Sequence, residues 1–229
     1  VLNKATIGML VIDEAHCISD WGHDFRPDYR RIKVVLKDLP TNTHLLATTA
    51  TANDRVIDDI KKQLGDNIFV LRGGLTRESL YIQVLDMKEE ELRLAWLAEN
   101  IKKLPKAGII YCLTKRDVYS ITNWLKQNNI DAYAYTSDTN KNIPLKEEIT
   151  TKFLNNEMDV LVATTAFGMG IDKRDIKFII HYQRPGNIVS YYQQIGRAGR
   201  AIDKAYAILL LGREDDEINQ FFIKFHGCI

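Results

Sequence analysis

The chain has 229 residues, of which 45% are hydrophobic and 27% are charged; this balance excludes disordered, collagen-like and coiled-coil chains. Its 31 Lys and Arg against 30 Asp and Glu give a formal net charge of +1, so a surface for nucleic acid would have to be a local basic patch. Cys17, Cys112 and Cys228 are far apart and form no C-x-x-C pair, which argues against a disulfide framework and a zinc site in this chain. We expect neither a membrane span nor a secretory leader, because the apolar stretches are short.

Short apolar runs alternate with longer amphipathic stretches along the chain. Runs rich in Val, Ile and Leu are predicted as buried strands at Ile7–Ile12, His44–Thr48, Ile68–Leu71, Gly108–Cys112, Ala132–Tyr135, Val160–Thr164, Phe178–His181 and Ala205–Leu211. Stretches with apolar residues three and four positions apart are predicted as helices at Asp54–Leu64, Glu90–Lys103, Lys115–Asn128, Leu145–Asn155, Ile188–Gln194 and Glu214–Phe225. This alternation predicts an α/β fold with a mainly parallel sheet flanked by helices.

A domain boundary is predicted near Arg72–Ser79, where Gly73 and Gly74 interrupt the pattern and polar residues follow. The part downstream holds enough predicted strands for a complete domain, whereas the part upstream holds too few for a doubly wound sheet. We therefore predict two domains, residues 1–76 and residues 77–229. The chain opens at Val1 rather than Met, so we expect a fragment with an incomplete first domain.

Two carboxylates, Asp13 and Glu14, directly follow the first predicted strand. The carboxyl edge of a parallel sheet is where α/β folds bind ligands. Asp13 could hold a hydrated Mg²⁺ there, and Glu14 could polarise the water that attacks a γ-phosphate. The alternative for this pair is a solvated acidic turn after a buried strand.

Two further segments of the first domain carry candidate residues. Trp21, Phe25 and Arg26 form an aromatic and basic loop, which suits stacking on single-stranded bases, although the rings could simply pack the loop onto the core. Thr49 and Thr51 follow the next predicted strand. Their hydroxyls could relay hydrogen bonds from a nucleotide site to a neighbouring domain, or they could cap the helix that follows.

Two segments of the second domain offer groups for phosphate. Gly168 and Gly170 come shortly after a predicted strand, where backbone N–H groups could approach phosphate oxygens, although a structural turn fits equally well. Arg197 and Arg200 are three positions apart, so they would share a face if the preceding helix continued. One of them could act as an arginine finger on a γ-phosphate; the alternative is a solvated basic helix end.

Other catalytic schemes lack their signatures in this sequence. No glycine is followed by lysine, so the sequence contains no G-x-x-x-x-G-K-[ST] phosphate loop. It contains neither a G-x-S-x-G elbow nor an H-E-x-x-H zinc motif. His44, His181 and Cys112 adjoin apolar strands and are predicted to be structural.

Taken together and in order, these motifs resemble the superfamily 2 helicases, and most closely the RecQ-type DNA helicases. The similar segments are motif II at 13–16, the aromatic-rich loop that distinguishes the RecQ family at 21–27, motif III at 49–51, motif IV at 110–116, motif V at 164–173 and motif VI at 193–200. The resemblance covers nearly the whole chain. The ordered combination is far more specific than any single motif.

The resemblance implies two RecA-like lobes, with ATP in the cleft between them and single-stranded DNA across their top. In the first lobe Asp13 would coordinate Mg²⁺ through water, Glu14 would activate the hydrolytic water, and His16 would couple the site to the second lobe. The remaining implied roles in this lobe are coupling through the motif III threonines, Thr49 and Thr51, and sensing of DNA by Trp21, Phe25 and Arg26.

In the second lobe the resemblance implies that Arg200 is the arginine finger. The other residues implied to serve the nucleotide are Gln193 and Arg197 on the γ-phosphate side, and Gly170 and Asp172 at the cleft. Thr165 and Gly168 would lie near the DNA backbone.

The expected function is therefore ATP- and Mg²⁺-dependent translocation and unwinding of DNA, with the 3′–5′ polarity that the family implies and roles in DNA repair and recombination. The expected partners are ATP, single-stranded or partly duplex DNA, and the missing N-terminal segment of the same protein, in the cytoplasm with the bacterial nucleoid or in the nucleus. Without a phosphate loop the chain alone should be inactive. The alternatives are an RNA-directed helicase of the same superfamily, and a non-catalytic module that binds nucleic acid or docks a partner.

Overall fold

The computed structural model describes residues 7–19, 27–40, 42–50, 52–74, 76–168 and 171–226. The chain divides into two compact units, Val1–Gly74 and Leu75–Phe225. The division falls beside the glycine pair, Gly73 and Gly74, that interrupts the apolar pattern of the sequence.

The first unit is built on two parallel strands. Strand β1 (Met9–Ile12) pairs with β2 (His44–Ala47) so that Ile12 lies opposite Ala47. Helix α1 (Ile32–Lys37) precedes β2, and α2 (Asp54–Leu64) follows it. The side chain of Asn53 accepts a hydrogen bond from the N–H of Val56 and caps α2. The apolar face of α2 packs against Ile12 and the turn after β1, which holds the carboxyl ends of both strands in place.

The second unit is built on a six-stranded parallel sheet in the order β3-β8-β7-β4-β6-β5. Its strands are β3 (Leu80–Asp86), β4 (Gly108–Tyr111), β5 (Ala132–Tyr135), β6 (Val160–Ala163), β7 (Phe178–His181) and β8 (Ala205–Leu211). Its helices are α3 (Glu90–Asn100), α4 (Lys115–Gln127), α5 (Ser137–Lys141), α6 (Ile143–Leu154), α7 (Ile188–Ile195) and α8 (Asp215–His226). No described helix is long and apolar enough to cross a bilayer.

Helices cover both faces of the second sheet, as the buried apolar strands predict. Leu97 of α3 and Leu125 of α4 pack on one face, where Ile110 of β4 lies. Phe153 of α6 packs on the other face with Ile109. Because β4, β6 and β7 are buried on both sides, they read as continuous Val, Ile and Leu runs rather than alternating ones.

One predicted strand was wrong, and one strand and two short helices were missed. The run Ile68–Leu71 has strand composition, but it forms no strand among the described residues; Phe69 and Leu71 are 85% and 84% exposed. Strand β3 was missed because its residues are mostly exposed, which hides the apolar pattern. It forms nonetheless, because it pairs with β8 along its whole length. The short helices α1 and α5 were missed because so few turns give too few periodic positions.

A buried arginine ties α3 to the segment before α8. Arg93 is completely buried, and it donates to the Glu214 carboxylate and to the carbonyl oxygen of Met87, 3.1 Å away. Its guanidinium lies over the ring of Tyr182, 4.7 Å from the centroid. Gly212 leaves no room for a Cβ beside the guanidinium. The arginine therefore has a site shaped around it.

We expect Arg93→Ala to lower the free energy of unfolding of the second unit by roughly 3 kcal/mol, the low end of the range for a broken buried ion pair, because Glu214 keeps some contact with solvent. The matched control is Arg213→Ala, which removes an exposed pair with Glu89 and should cost at most about 1 kcal/mol. Urea denaturation of both variants measures the difference. Equal losses would show that Arg93 contributes no more than a surface charge.

Candidate nucleotide and nucleic-acid site

Asp13 and Glu14 form an exposed carboxylate turn at the end of β1. Asp13 Oδ1 accepts hydrogen bonds from Thr48 Oγ1 at 2.8 Å and from the N–H of Glu14 at 2.9 Å. These two hydrogen bonds hold the pKa of Asp13 below its usual range, and the bond from Thr48 has the larger effect. Glu14 has a left-handed backbone, with φ of 49°, which is uncommon for a residue with a side chain. The turn thus presents an ionised carboxylate with a second carboxylate beside it.

His16 links this turn to the end of β2. It is buried, and its Nδ1 lies 2.9 Å from Thr49 Oγ1 and 3.2 Å from Glu14 Oε2. The structure therefore brings together three of the residues singled out in the sequence, His16, Glu14 and Thr49. No group of three His, Cys, Asp or Glu side chains that could hold a metal ion occurs in the part of the chain that is described.

Thr48 and Tyr29 also contact Asp13. Thr48 belongs to the hydroxyl segment noted in the sequence but was not predicted beside Asp13, and Tyr29 was not selected at all. Tyr29 donates from its hydroxyl to the carbonyl oxygen of Asp13 at 3.2 Å. The position of Thr48 could have been found from the parallel register, because Ile12 opposite Ala47 makes the next residue on each strand neighbours. No sequence signal pointed to Tyr29.

Several predicted site residues lie outside the described residues and have no structural account here: Trp21, Phe25, Arg26, Thr51 and Gly170. The described residues on each side of the aromatic loop are anchored. Ser19 is buried and donates to Asp59 Oδ2 of α2 at 2.6 Å, and this bond lowers the pKa of Asp59. On the other side, Tyr29 reaches the Asp13 carbonyl.

The two arginines of the second unit do not lie on one helix face. Helix α7 ends at Ile195, close to the predicted end at Gln194, so the condition under which the two arginines would share a helix face is not met. The chain turns at Gly196, and the two side chains take different partners. Arg197 Nη1 donates to Gly168 O at 2.5 Å, whereas Arg200 Nη1 donates to Asp172 Oδ1 at 3.1 Å.

The remaining predicted residues of this unit lie after β6 and on α7. Thr165 is exposed two residues after β6, and Gly168 is buried three residues later. Gln193 is half-buried on α7. The structure thus brings Arg197 to Gly168 and Arg200 to Asp172.

His181, the last residue of β7, contacts two residues of α7. His181 is buried, its Nε2 donates to Gln194 Oε1 at 2.7 Å, and its ring stacks on Tyr111 with centroids 5.6 Å apart. Tyr191 of α7 lies against its other side, with centroids 5.0 Å apart. Burial lowers the pKa of His181 to about 4, so the ring is neutral near pH 7. The structural role predicted for His181 agrees with these contacts.

The depressed pKa of His181 predicts an acid-sensitive second unit. As the pH falls below the ordinary value of 6.5, the unfolded chain takes up this proton before the folded chain does. Between pH 6.5 and 4 the second unit should therefore lose up to roughly 3 kcal/mol of stability from this group. Urea denaturation across that range should show a shallower pH dependence for His181→Gln than for the wild type. The same dependence in both proteins would contradict the assignment.

Two family models match the chain. Residues 3–60 match the DEAD/DEAH box helicase family, and residues 89–202 match the helicase conserved C-terminal domain. The two matches fall in the first and second unit, respectively.

Curated relatives match over most of the chain. It is 38% identical to the ATP-dependent DNA helicase RecQ of Bacillus subtilis over 225 residues, which cover 98% of the chain and 37% of the relative. It is 38% identical to the ATP-dependent DNA helicase Q1 of Pongo abelii, over 90% of the chain and 32% of the relative. It is 39% identical to R290 of Acanthamoeba polyphaga mimivirus, provisionally named an ATP-dependent RNA helicase, over 95% of the chain and 39% of the relative. The chain thus spans about a third to two fifths of the length of these relatives.

The fold is also that of solved helicase structures. Dbp5 of S. cerevisiae, bound to RNA and ADP BeF3, superposes with a TM-score of 0.71 at 23% identity over 97% of this chain and 58% of that one. This likeness confirms the predicted fold class, RecA-like parallel sheets flanked by helices. With the motifs in order and the relatives matching over 90% or more of this chain, the chain is recognised as similar to the RecQ-type helicases of superfamily 2, of which it spans a part.

Proposed function

We propose that this chain supplies ATP-hydrolysing and DNA-contacting parts of an ATP-dependent DNA helicase. The observation that carries the proposal is the carboxylate turn, where Asp13 is kept ionised by Thr48 and where His16 contacts both Glu14 and Thr49. A solvated acidic turn would need neither a buried histidine nor a threonine from the next strand. The relatives named as DNA helicases support the choice of DNA.

The residues of the turn fit a magnesium nucleotide. Mg²⁺ prefers oxygen ligands, keeps several of its waters and is commonly held by one or two carboxylates. Asp13 is such a ligand, because it is exposed and its pKa is held low. When bound, Mg²⁺ would neutralise charge on the phosphates. Glu14 would orient the attacking water and accept its proton, and His16 would hold the Glu14 carboxylate in place.

Arg200 is the proposed arginine finger of the second unit. It is partly exposed, and its partner is the exposed Asp172, so the guanidinium can exchange this ion pair for a phosphate at small cost. Gln193 and Arg197 are proposed to serve the same γ-phosphate side, and Gly170 and Asp172 are proposed to lie near the nucleotide.

For nucleic acid we propose contacts from both units. Thr165 and Gly168 would meet the phosphate backbone, and Trp21, Phe25 and Arg26 would stack on and hold a single strand. The anchors at Ser19 and Tyr29 support a link from this aromatic loop to the carboxylate turn, because Tyr29 bonds to the backbone of Asp13 itself. Translocation would run 3′–5′, and the protein would act in repair and recombination where chromosomal DNA is found.

The absence of a phosphate loop from the sequence limits what this chain does alone. The β- and γ-phosphates need such a cradle, so we propose that hydrolysis takes place only when a segment carrying one is present. The similarity to R290 favours an RNA-directed helicase as the second candidate.

A strand-displacement assay tests the proposal, in a form of the protein that also carries a phosphate loop. We expect ATP-dependent displacement of a DNA duplex with a 3′ single-stranded tail and much slower displacement of the matched RNA duplex. Displacement of RNA alone would favour the second candidate. Binding of either substrate without displacement, and without ATP hydrolysis, would show a non-catalytic module.

A further inference from the structure

Arg197 and Gly168 form a close pair in the second unit. Arg197 Nη1 donates to Gly168 O at 2.5 Å. A Cβ built on Gly168 would lie 2.5 Å from Arg197 Cζ and 2.7–2.8 Å from Nη2 and Nε, so the guanidinium lies directly against the glycine backbone. Gly168 also has φ of +131°, a conformation open almost only to glycine. Any other residue at this position would lose both the contact and the backbone conformation.

The side chain of Arg197 is half-buried, and its guanidinium lies against Gly168. Arg197 Nε is buried and has no hydrogen-bond partner among the residues that the structure describes. A buried N–H without an acceptor is costly, so the side chain keeps its place through what Nη1 and the packing supply. An arginine that served a phosphate alone would gain nothing from lying against a glycine.

Two successive carbonyl groups, those of Phe167 and Gly168, accept hydrogen bonds from different elements. Tyr111 of β4 donates from its hydroxyl to Phe167 O at 3.4 Å, and Arg197 donates to the next carbonyl. Within the segment, the N–H of Phe167 bonds to Thr164 O at 3.1 Å. Residues 164–168, which present the exposed Thr165, are thus fixed at the end nearest Arg197.

Main-chain hydrogen bonds join the same two regions further along. The N–H of Gly199 bonds to Ile176 O, and that of Ala201 bonds to Arg174 O, both at 3.1 Å. The turn after α7 therefore runs beside the segment that follows residues 164–168. Arg197 and these main-chain bonds thus connect the turn to both sides of residues 169–170 in the sequence.

We infer that Arg197 is a positioning residue for nucleic-acid binding. By donating a hydrogen bond to Gly168 O, it fixes residues 164–168 in the conformation that binds single-stranded DNA. Its consequence for DNA affinity rests on the proposed function, whereas its effect on residues 164–168 does not.

The test compares Arg197→Lys and Arg197→Gln in this chain, without nucleotide. Lysine keeps a charged donor of similar reach, whereas glutamine is two bonds shorter than arginine and its amide cannot reach Gly168 O. We expect hydrogen exchange at the Phe167 amide to accelerate about 10-fold or more in Arg197→Gln, as loss of a charged hydrogen bond implies, with a parallel fall in affinity for a fluorescein-labelled oligothymidylate. Arg197→Lys should show the smaller change in both. The matched control, Arg213→Lys, alters an exposed arginine paired with Glu89 and should leave exchange and affinity unchanged.

Each outcome decides the inference. Wild-type exchange in both variants would overturn it, and so would a change in Arg197→Lys as large as that in Arg197→Gln, because the donor that lysine keeps would then make no difference. Accelerated exchange in a chain whose wild type binds no oligothymidylate would support the inference and contradict the proposed DNA contact instead. If Arg197→Gln does not fold, Arg197→Met, which also lacks a donor, takes its place, and an exchange rate equal to that of Arg213→Lys overturns the inference.

Discussion

Glu14→Gln is expected to abolish ATP hydrolysis while leaving the carboxylate turn folded. Glutamine has nearly the same shape, and its amide can still lie beside His16 Nδ1, now 3.2 Å from Glu14 Oε2. It cannot accept the proton of the attacking water, so kcat should fall by about 10²–10⁴-fold, the range for loss of a general base. Asp13 is untouched, so ATP should still bind. The measurement is steady-state hydrolysis, in a form of the protein that also carries a phosphate loop, together with the affinity for ATP.

The matched control for this prediction is Glu147→Gln, an identical change at an exposed position of α6 far from the turn in sequence. It should hydrolyse ATP at the wild-type rate. Wild-type kcat in Glu14→Gln would show that Glu14 is an ordinary surface carboxylate and that the proposed assignment of the base is wrong.

Arg200→Ala is expected to lower kcat by about 10³-fold or more with little change in KM for ATP, because an arginine finger stabilises charge that develops only in the transition state. In the structure Asp172 holds Arg200 at 3.1 Å, so the variant leaves Asp172 exposed rather than buried and should not unfold the unit. Steady-state kinetics with saturating single-stranded DNA separate kcat from KM.

Arg174→Ala provides the control for Arg200→Ala. Arg174 is also exposed and pairs with the same Asp172, at 3.7 Å, but it lies outside the proposed machinery. It should stay within about two-fold of wild type, as expected for an exposed ion pair. Equal losses in the two variants would mean that the charge balance around Asp172 matters, and not a finger at residue 200.

Much of the fold followed from apolar patterning, because buried parallel strands leave unbroken Val, Ile and Leu runs. Apolar patterning gave the wrong prediction where a strand is exposed, or where an apolar run forms no strand. Strand β3 is exposed yet paired along its length, whereas residues 68–71 are apolar yet have no partner strand among the described residues. Which run pairs is decided by neighbours far away in the sequence, and no local pattern contains that information.

The sequence predicted the site residues that directly follow strands, but not the contacts between distant segments. Asp13 and Glu14 were found because they end a predicted strand, and Thr48 was within reach of the same argument once the strands are parallel. The contact of Arg197 with Gly168 joins segments 29 positions apart. It depends on α7 ending at Ile195, where a continued helix would have turned the side chain elsewhere. The whole fold decides where a helix ends and which distant segments pack together. The spacing of Arg197 and Arg200 therefore could not predict that the two side chains bind different partners.

We propose that this chain belongs to a motor whose ATP hydrolysis depends on single-stranded DNA. Its most direct test is steady-state ATP hydrolysis in a form that also carries a phosphate loop, with no nucleic acid, with oligothymidylate and with oligouridylate. We predict strong stimulation by oligothymidylate, weak stimulation by oligouridylate, and no hydrolysis by the 229-residue chain alone. A rate that is the same with and without nucleic acid would contradict the claim.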